Sequence, residues 1–122
     1  MKKALPFIVG LSAVLAAMCV QAQSFHIRCL SINNAGDVTV TWDRGSLAAA
    51  GFRSFHVLHA GSQSGPFVVV DSTTLFSDTL TTHTGANASS VPAWYVIVFK
   101  SLAGGPDILS DTVRALQITV LN

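Results

Sequence analysis

The chain has 122 residues, with 7 lysines and arginines against 6 acidic residues for a net charge of +1, and half of it is hydrophobic. That near-neutral balance argues against a nucleic-acid or anionic-membrane surface, which needs a basic excess. All six acids are aspartate, with no glutamate, and Thr, Val, Ser and Gly abound. Long helices are therefore a poor expectation, and β structure punctuated by turns a better one.

The first element is a leader. Lys2 and Lys3 precede an apolar run from Ala4 to Val20, broken only by Pro6, Gly10 and Ser12, and the run closes on Val20-Gln21-Ala22. A basic start, an apolar middle and small residues at the cleavage positions define a secretory signal peptide over residues 1–22, cut between Ala22 and Gln23. A membrane anchor is the competing reading. The apolar run is at the short limit for a span and has no basic flank after it, so no stable membrane insertion is expected once the leader is removed. A lipoprotein acylated at Cys19 would need a small residue just before the cysteine, where Met18 stands.

Residues 23–122 then form one small domain. Loss of Lys2 and Lys3 leaves five basic residues against six aspartates, a net charge of −1. Cys29 is the single cysteine of this portion, so no internal disulfide can form in an oxidising destination. Its expected place is that of a small buried apolar side chain in the first strand.

Phe25 to Ile32 reads as that first strand. Asn33-Asn34-Ala35-Gly36-Asp37 is turn chemistry, because Asn and Gly tolerate positive φ and Asp bonds its own backbone. Val38-Thr39-Val40-Thr41-Trp42 alternates cleanly, which puts Val38, Val40 and Trp42 on one face and predicts Trp42 as a core side chain. Ser46 to Ala50 suits a single helical turn closed by Gly51. Phe52 to Ala60 resumes the strand pattern, with Phe55, Val57 and His59 on one face and His56 and Leu58 on the other. Gly61 to Pro66 is a loop, Phe67 to Val70 a short strand, and Thr79 to Thr84 a strand with threonine on one face. His83 to Asn87 makes its exit turn. Trp94-Tyr95-Val96-Ile97-Val98-Phe99 is six apolar residues in a row, bounded by loop residues, and reads as the central strand. Thr112 to Leu121 is the last. Seven short strands at roughly ten-residue spacing, with turn signals between them, predict an all-β antiparallel β-sandwich.

The order of several pieces carries a resemblance. Asp37-Val38-Thr39-Val40-Thr41-Trp42, Phe52-Arg53-Ser54-Phe55-His56-Val57, Gly65-Pro66-Phe67, Thr84-Gly85-Ala86-Asn87-Ala88 and Ser110-Asp111-Thr112 together resemble a fibronectin type III domain. The likeness covers nearly all of residues 23–122 and implies an immunoglobulin-like sandwich. It is similar to modules in secreted, cell-surface and gliding-associated proteins of bacteria that use type IX secretion. Two places depart from the pattern. Asp43-Arg44-Gly45 follow the tryptophan where the family places prolines, and Val91, Pro92 and Ala93 lie where its corner tyrosine would be, with Tyr95 the nearest substitute. Proteins of that kind are long and end in a sorting domain, so this chain is expected to be part of a longer frame or a stand-alone module.

Chemistry-bearing residues are sparse. His26, His56, His59 and His83 form no ligand motif, and a spacing of three puts His56 and His59 on opposite faces of a strand. The aspartates stand singly, without the Asp-x-Asp spacing of a calcium loop. No Gly-x-Ser-x-Gly elbow occurs; Gly61-Ser62-Gln63-Ser64-Gly65 comes close but leads into a strand. Asn87-Ala88-Ser89 matches a glycosylation sequon, which a bacterial-looking chain has little use for. No catalytic residue, cofactor or metal is expected. A hydrolase would need an acid or nucleophile cluster assembled only by folding.

If Trp94, Val96 and Val98 point inward, then Tyr95, Ile97 and Phe99 point outward beside Leu58, and this stripe is the expected interface. Phe67 to Val70 and Trp94 to Phe99 are also the β-prone, uncharged segments that need central pairing to stay soluble. The implied role is a non-catalytic, secreted spacer or adhesion module whose partners are other modules or surface proteins, with no nucleic acid. The alternative is a small carbohydrate- or protein-ligand binding module with its site on the loops Asp43 to Gly51 and Gly61 to Pro66. Only Phe52 and Phe67, at their edges, supply aromatic rings there.

Overall fold

The computed structural model describes residues 24–116. Its strands are β1 (His26–Ile32), β2 (Val38–Asp43), β3 (Phe52–Ala60), β4 (Val68–Thr73), β5 (Leu80–His83), β6 (Trp94–Ser101), β7 (Ile108–Leu109) and β8 (Val113–Arg114). All pairings are antiparallel, in a sheet ordered β1-β2-β5 and a larger one ordered β4-β3-β6-β7, with β8 also paired to β6. The fold is an all-β, immunoglobulin-like sandwich of the fibronectin type III kind.

The alternation of β2 is realised as expected. Val38 and Val40 are fully buried and Trp42 is 2% exposed, while Thr39 and Thr41 are half-buried on the other face. From the larger sheet Phe55, Val57, Tyr95, Ile97 and Phe99 close the core against them. Trp42 meets Phe55 edge-on at 5.4 Å between ring centroids, and Phe52 packs on Phe55, Phe76 and Phe99 at 4.9, 5.2 and 5.6 Å. Offset and edge-on geometries of this kind add to what burial alone contributes.

β1 departs from simple alternation. Ile27 lies opposite Trp42 and Leu30 opposite Val40, so both face the core although three residues apart. A bulge at Arg28 makes this geometrically available, because the extra residue resets the phase of the strand. Cys29, expected to be buried, is therefore opposite Thr41 on the outer face and exposed. The Ile27 N–H at the bulge donates to Asp111 Oδ1 at 2.8 Å, a contact reaching across to the segment between β7 and β8 of the other sheet.

That last strand differs from the expected Thr112 to Leu121. It is two short pieces, β7 and β8, separated by Ser110-Asp111-Thr112; residues 117–121 lie outside the described residues. At the break the Ile97 N–H donates to Ser110 Oγ at 2.8 Å, and the Ser110 N–H donates to the Ile97 carbonyl at 2.8 Å. A side-chain hydroxyl thus supplies the rung that the backbone misses, as buried N–H groups require. Other boundaries shift as well. Ser46 to Ala50 forms turns and no helix, β4 starts at Val68 and runs to Thr73, and the threonines of β5 occupy both faces. The turn at Asn33–Asp37 is as predicted, with Asn33 Oδ1 accepting from the N–H groups of Ala35 and Asp37 and Gly36 at φ 84°.

Candidate functional site

Register decides which side chains share a face of the larger sheet. Phe55, Val57 and His59 lie directly opposite Phe99, Ile97 and Tyr95. Since Phe55 and Val57 are core residues, so are their partners: Tyr95 and Ile97 are fully buried and Phe99 is 4% exposed. The outward stripe expected of Tyr95, Ile97 and Phe99 is thus the inward face of β6, and the faces are inverted. Trp94, expected to point inward with Val96 and Val98, is half-buried at the strand's start, with the Arg114 guanidinium 6.0 Å from its ring centroid. The usable signal was bulk: Tyr-Ile-Phe is the larger set and fills the core, whereas Val-Val is the smaller one.

Leu58 does point outward, and the register supplies its true neighbours. Val69 on β4, Leu58 on β3 and Val96 on β6 form one row across three strands. His56, Val98 and Leu109 form the adjoining row. Val69 is 54% and Leu109 62% exposed at the two ends, while Val96 and Val98 between them are shielded. The outer face therefore carries an apolar band that crosses the whole sheet. One edge of it ends at the Lys100–Asp107 pair, 2.8 Å apart.

Two histidines that the sequence keeps 24 residues apart meet at one end of the sandwich. His59 of β3 and His83 of β5 have ring centroids 4.8 Å apart, with Tyr95 beside both. The Tyr95 hydroxyl and His83 Nδ1 share a 2.7 Å hydrogen bond that joins the two sheets. Burial lowers the pKa of His59. Burial, then the nearby His59, lowers that of His83, against a raising influence of Asp37. Burial pushes the Tyr95 phenol up, so it stays protonated. The cluster ties the two sheets together, and among the described residues no serine, cysteine or carboxylate side chain is hydrogen-bonded to it. Among the described residues no group of three or more His, Cys, Asp or Glu side chains could hold a metal ion. His56 lies on the opposite face from His59, as its spacing predicted, and His26 Nδ1 is 2.7 Å from the Ser24 carbonyl.

The Asp43 to Gly51 loop, one of the two expected to carry a ligand site in the alternative reading, is held by its own contacts. Gly45 N–H donates to Asp43 Oδ1 at 2.7 Å, and Arg44 donates to the Phe76 carbonyl at 3.0 Å with its guanidinium 4.6 Å from the Phe76 ring centroid. Gly45 has φ 58°, and a Cβ there would lie 2.5 Å from the Ser24 backbone. Phe52 is partly buried and packs against the core through Phe55.

No family model matches the chain, and no curated protein matches it. Among solved structures, the crystal structure of an Fn3-like protein from Clostridium thermocellum is similar, with a TM-score of 0.56 and 22% sequence identity over 83% of this chain and 99% of that one. At that identity the likeness concerns the fold.

Proposed function

We propose that this chain is an exported, non-catalytic β-sandwich module of a bacterial cell-surface protein, serving as a spacer or adhesion domain that docks through the outer face of its larger sheet. The observation carrying this reading is the apolar band Val69–Leu58–Val96 with Val98 and Leu109, which crosses the sheet outside the core. Val69 and Leu109 are exposed at the two ends of this band and Leu58 is part-exposed beside them, and apolar side chains grouped on a sheet face in this way suit a protein–protein surface. The partner is another sandwich module or surface protein presenting a complementary apolar face. Export is supported by the basic and apolar leader, and the setting by its resemblance to modules of type IX-secreted, gliding-associated proteins.

Sedimentation velocity of the purified protein across a wide concentration range tests the docking face. Reversible association that Leu109→Lys and Val69→Lys abolish, without altering the melting temperature, supports it. A strict monomer whose Leu58 and Val96 methyl resonances stay unmoved at every concentration removes this face as the docking surface. Fusing residues 1–22 to a reporter active only outside the cytoplasm checks the export half.

A further inference from the structure

The polar cluster that joins the two sheets is built for uncharged rings. His83, the last residue of β5, meets His59 of β3 at 4.8 Å between ring centroids, and its Nδ1 shares a 2.7 Å hydrogen bond with the Tyr95 hydroxyl of β6. Burial keeps the Tyr95 phenol protonated, so with a neutral His83 the phenol O–H donates to Nδ1. A proton on that nitrogen reverses the bond, and the phenol hydrogen then needs another acceptor. His59 Nε2 is buried without a hydrogen-bond partner, and in the imidazolium it necessarily carries a hydrogen that nothing receives. Two cationic rings at this separation also repel.

Of the groups that face His83, Asp37 in the turn before β2 favours its cation, but the Asp37 oxygens already accept from the Gly85 N–H at 2.9 Å and from Asn33 Nδ2 at 3.3 Å. His59 from β3 opposes the cation, and Tyr95 from β6 is neutral. Such a conflict is relieved where the fold is held least. β3 is paired on both sides, to β4 and β6. β5 is four residues long at the free edge of its sheet and is paired, among the described residues, to β2. Its side-chain ties are polar and exposed, Thr82 to Thr39 at 3.1 Å and Thr81 to Asp71, while Leu80 is 59% exposed. Short elements with little buried apolar surface open before the fold as a whole.

We propose that the cluster is an acid-released latch: protonation of His83 and His59 parts the end of β5 and the turn after it from β3 and β6, while the two sheets stay folded around Trp42 and Phe55. The closed form belongs to neutral surroundings and the open form to acid ones, which makes the module responsive to the acidity of its compartment. The device lies between the sheets and does not depend on the docking face outside them.

Nuclear Overhauser contacts in labelled protein, followed from about pH 7.5 to about pH 4.5, test it. The His83–His59, His83–Tyr95 and Thr82–Thr39 contacts are expected to be lost together as the histidine ring protons titrate, while the Trp42–Phe55 and Phe55–Phe99 contacts are kept. In His83→Gln the Thr82–Thr39 contact should survive the same titration; the unaltered protein decides the matter by itself if that variant folds poorly. Retention of every contact at the lowest pH overturns the proposal, because the rings then protonate in place or not at all. Loss of both sets together overturns it in favour of general acid unfolding. Loss of the Thr82–Thr39 contact in folded His83→Gln overturns it by assigning the effect to another group, such as Asp37.

Discussion

β2 and β6 are both core strands, and they declare themselves in the sequence in opposite ways. β2 alternates apolar with threonine, because it buries one face and leaves the other half-open. β6 is apolar at six successive positions, and five of the six, Tyr95 to Phe99, are buried. A strand in the middle of a wide sheet, with an apolar band on its outer side, loses the period that would say which face is which. The difference teaches that a continuous run locates a central strand but hides its orientation. The orientation has to come from the partner strand, here β3, whose Phe55-x-Val57-x-His59 face does alternate.

The widest separation between the two strands is expected from lysine substitutions. Ile97→Lys, with a fully buried and unpaired ammonium, should unfold the protein, losing more than about 3 kcal/mol. Thr39→Lys on the open face of β2 should cost less than about 1 kcal/mol, the worth of its hydrogen bond to Thr82. Chemical denaturation measures both; a folded, stable Ile97→Lys protein would restore the outward stripe and break the comparison. The second outcome concerns the outer face of β6. Val96→Thr should cost about 1 kcal/mol for burying a hydroxyl, whereas Thr39→Val should be close to neutral, as read from denaturation midpoints.

Tyr95→Phe removes the hydrogen bond to His83 while keeping the ring, so a loss of about 1 kcal/mol is expected in the same assay. The histidines add a pH dependence. Their pKa values are lowered from 6.5 in the fold, so below that pH the unfolded chain binds more protons than the native one. The stability they contribute is complete above about pH 6.5 and falls as the pH drops through the lowered values. Melting temperatures taken across that range should decline on the acid side, and His83→Gln should flatten the decline. The smallest effect belongs to Leu109→Lys, 62% exposed, which should shift stability by no more than about 0.5 kcal/mol and register only in association.

Much of the fold was legible because turns and strands have local causes. Asn33, Gly36 and Asp37 build their turn from their own side chains, and Val38, Val40 and Trp42 announce a face by spacing alone. What escaped was set by partners distant in the chain. The bulge at Arg28, which exposes Cys29, follows from matching Ile27 and Leu30 to Trp42 and Val40. The split of the last strand follows from Ser110 and Asp111 serving backbone groups of β6 and β1. Of the expected interface only Leu58 kept its face; the other members came from registers across β4, β6 and β7. The meeting of His59 with His83 exists only once the two sheets are stacked.

The bulge in β1 reaches beyond the geometry of one strand. By turning Cys29 to the surface it gives each copy of residues 24–116 one accessible thiol and no second. In an oxidising compartment such a unit has a covalent valence of one: oxidation through this portion can join two copies, and the chain reaction then stops. A disulfide made there would link molecules through the three-stranded sheet, leaving the apolar band of the other sheet free on both.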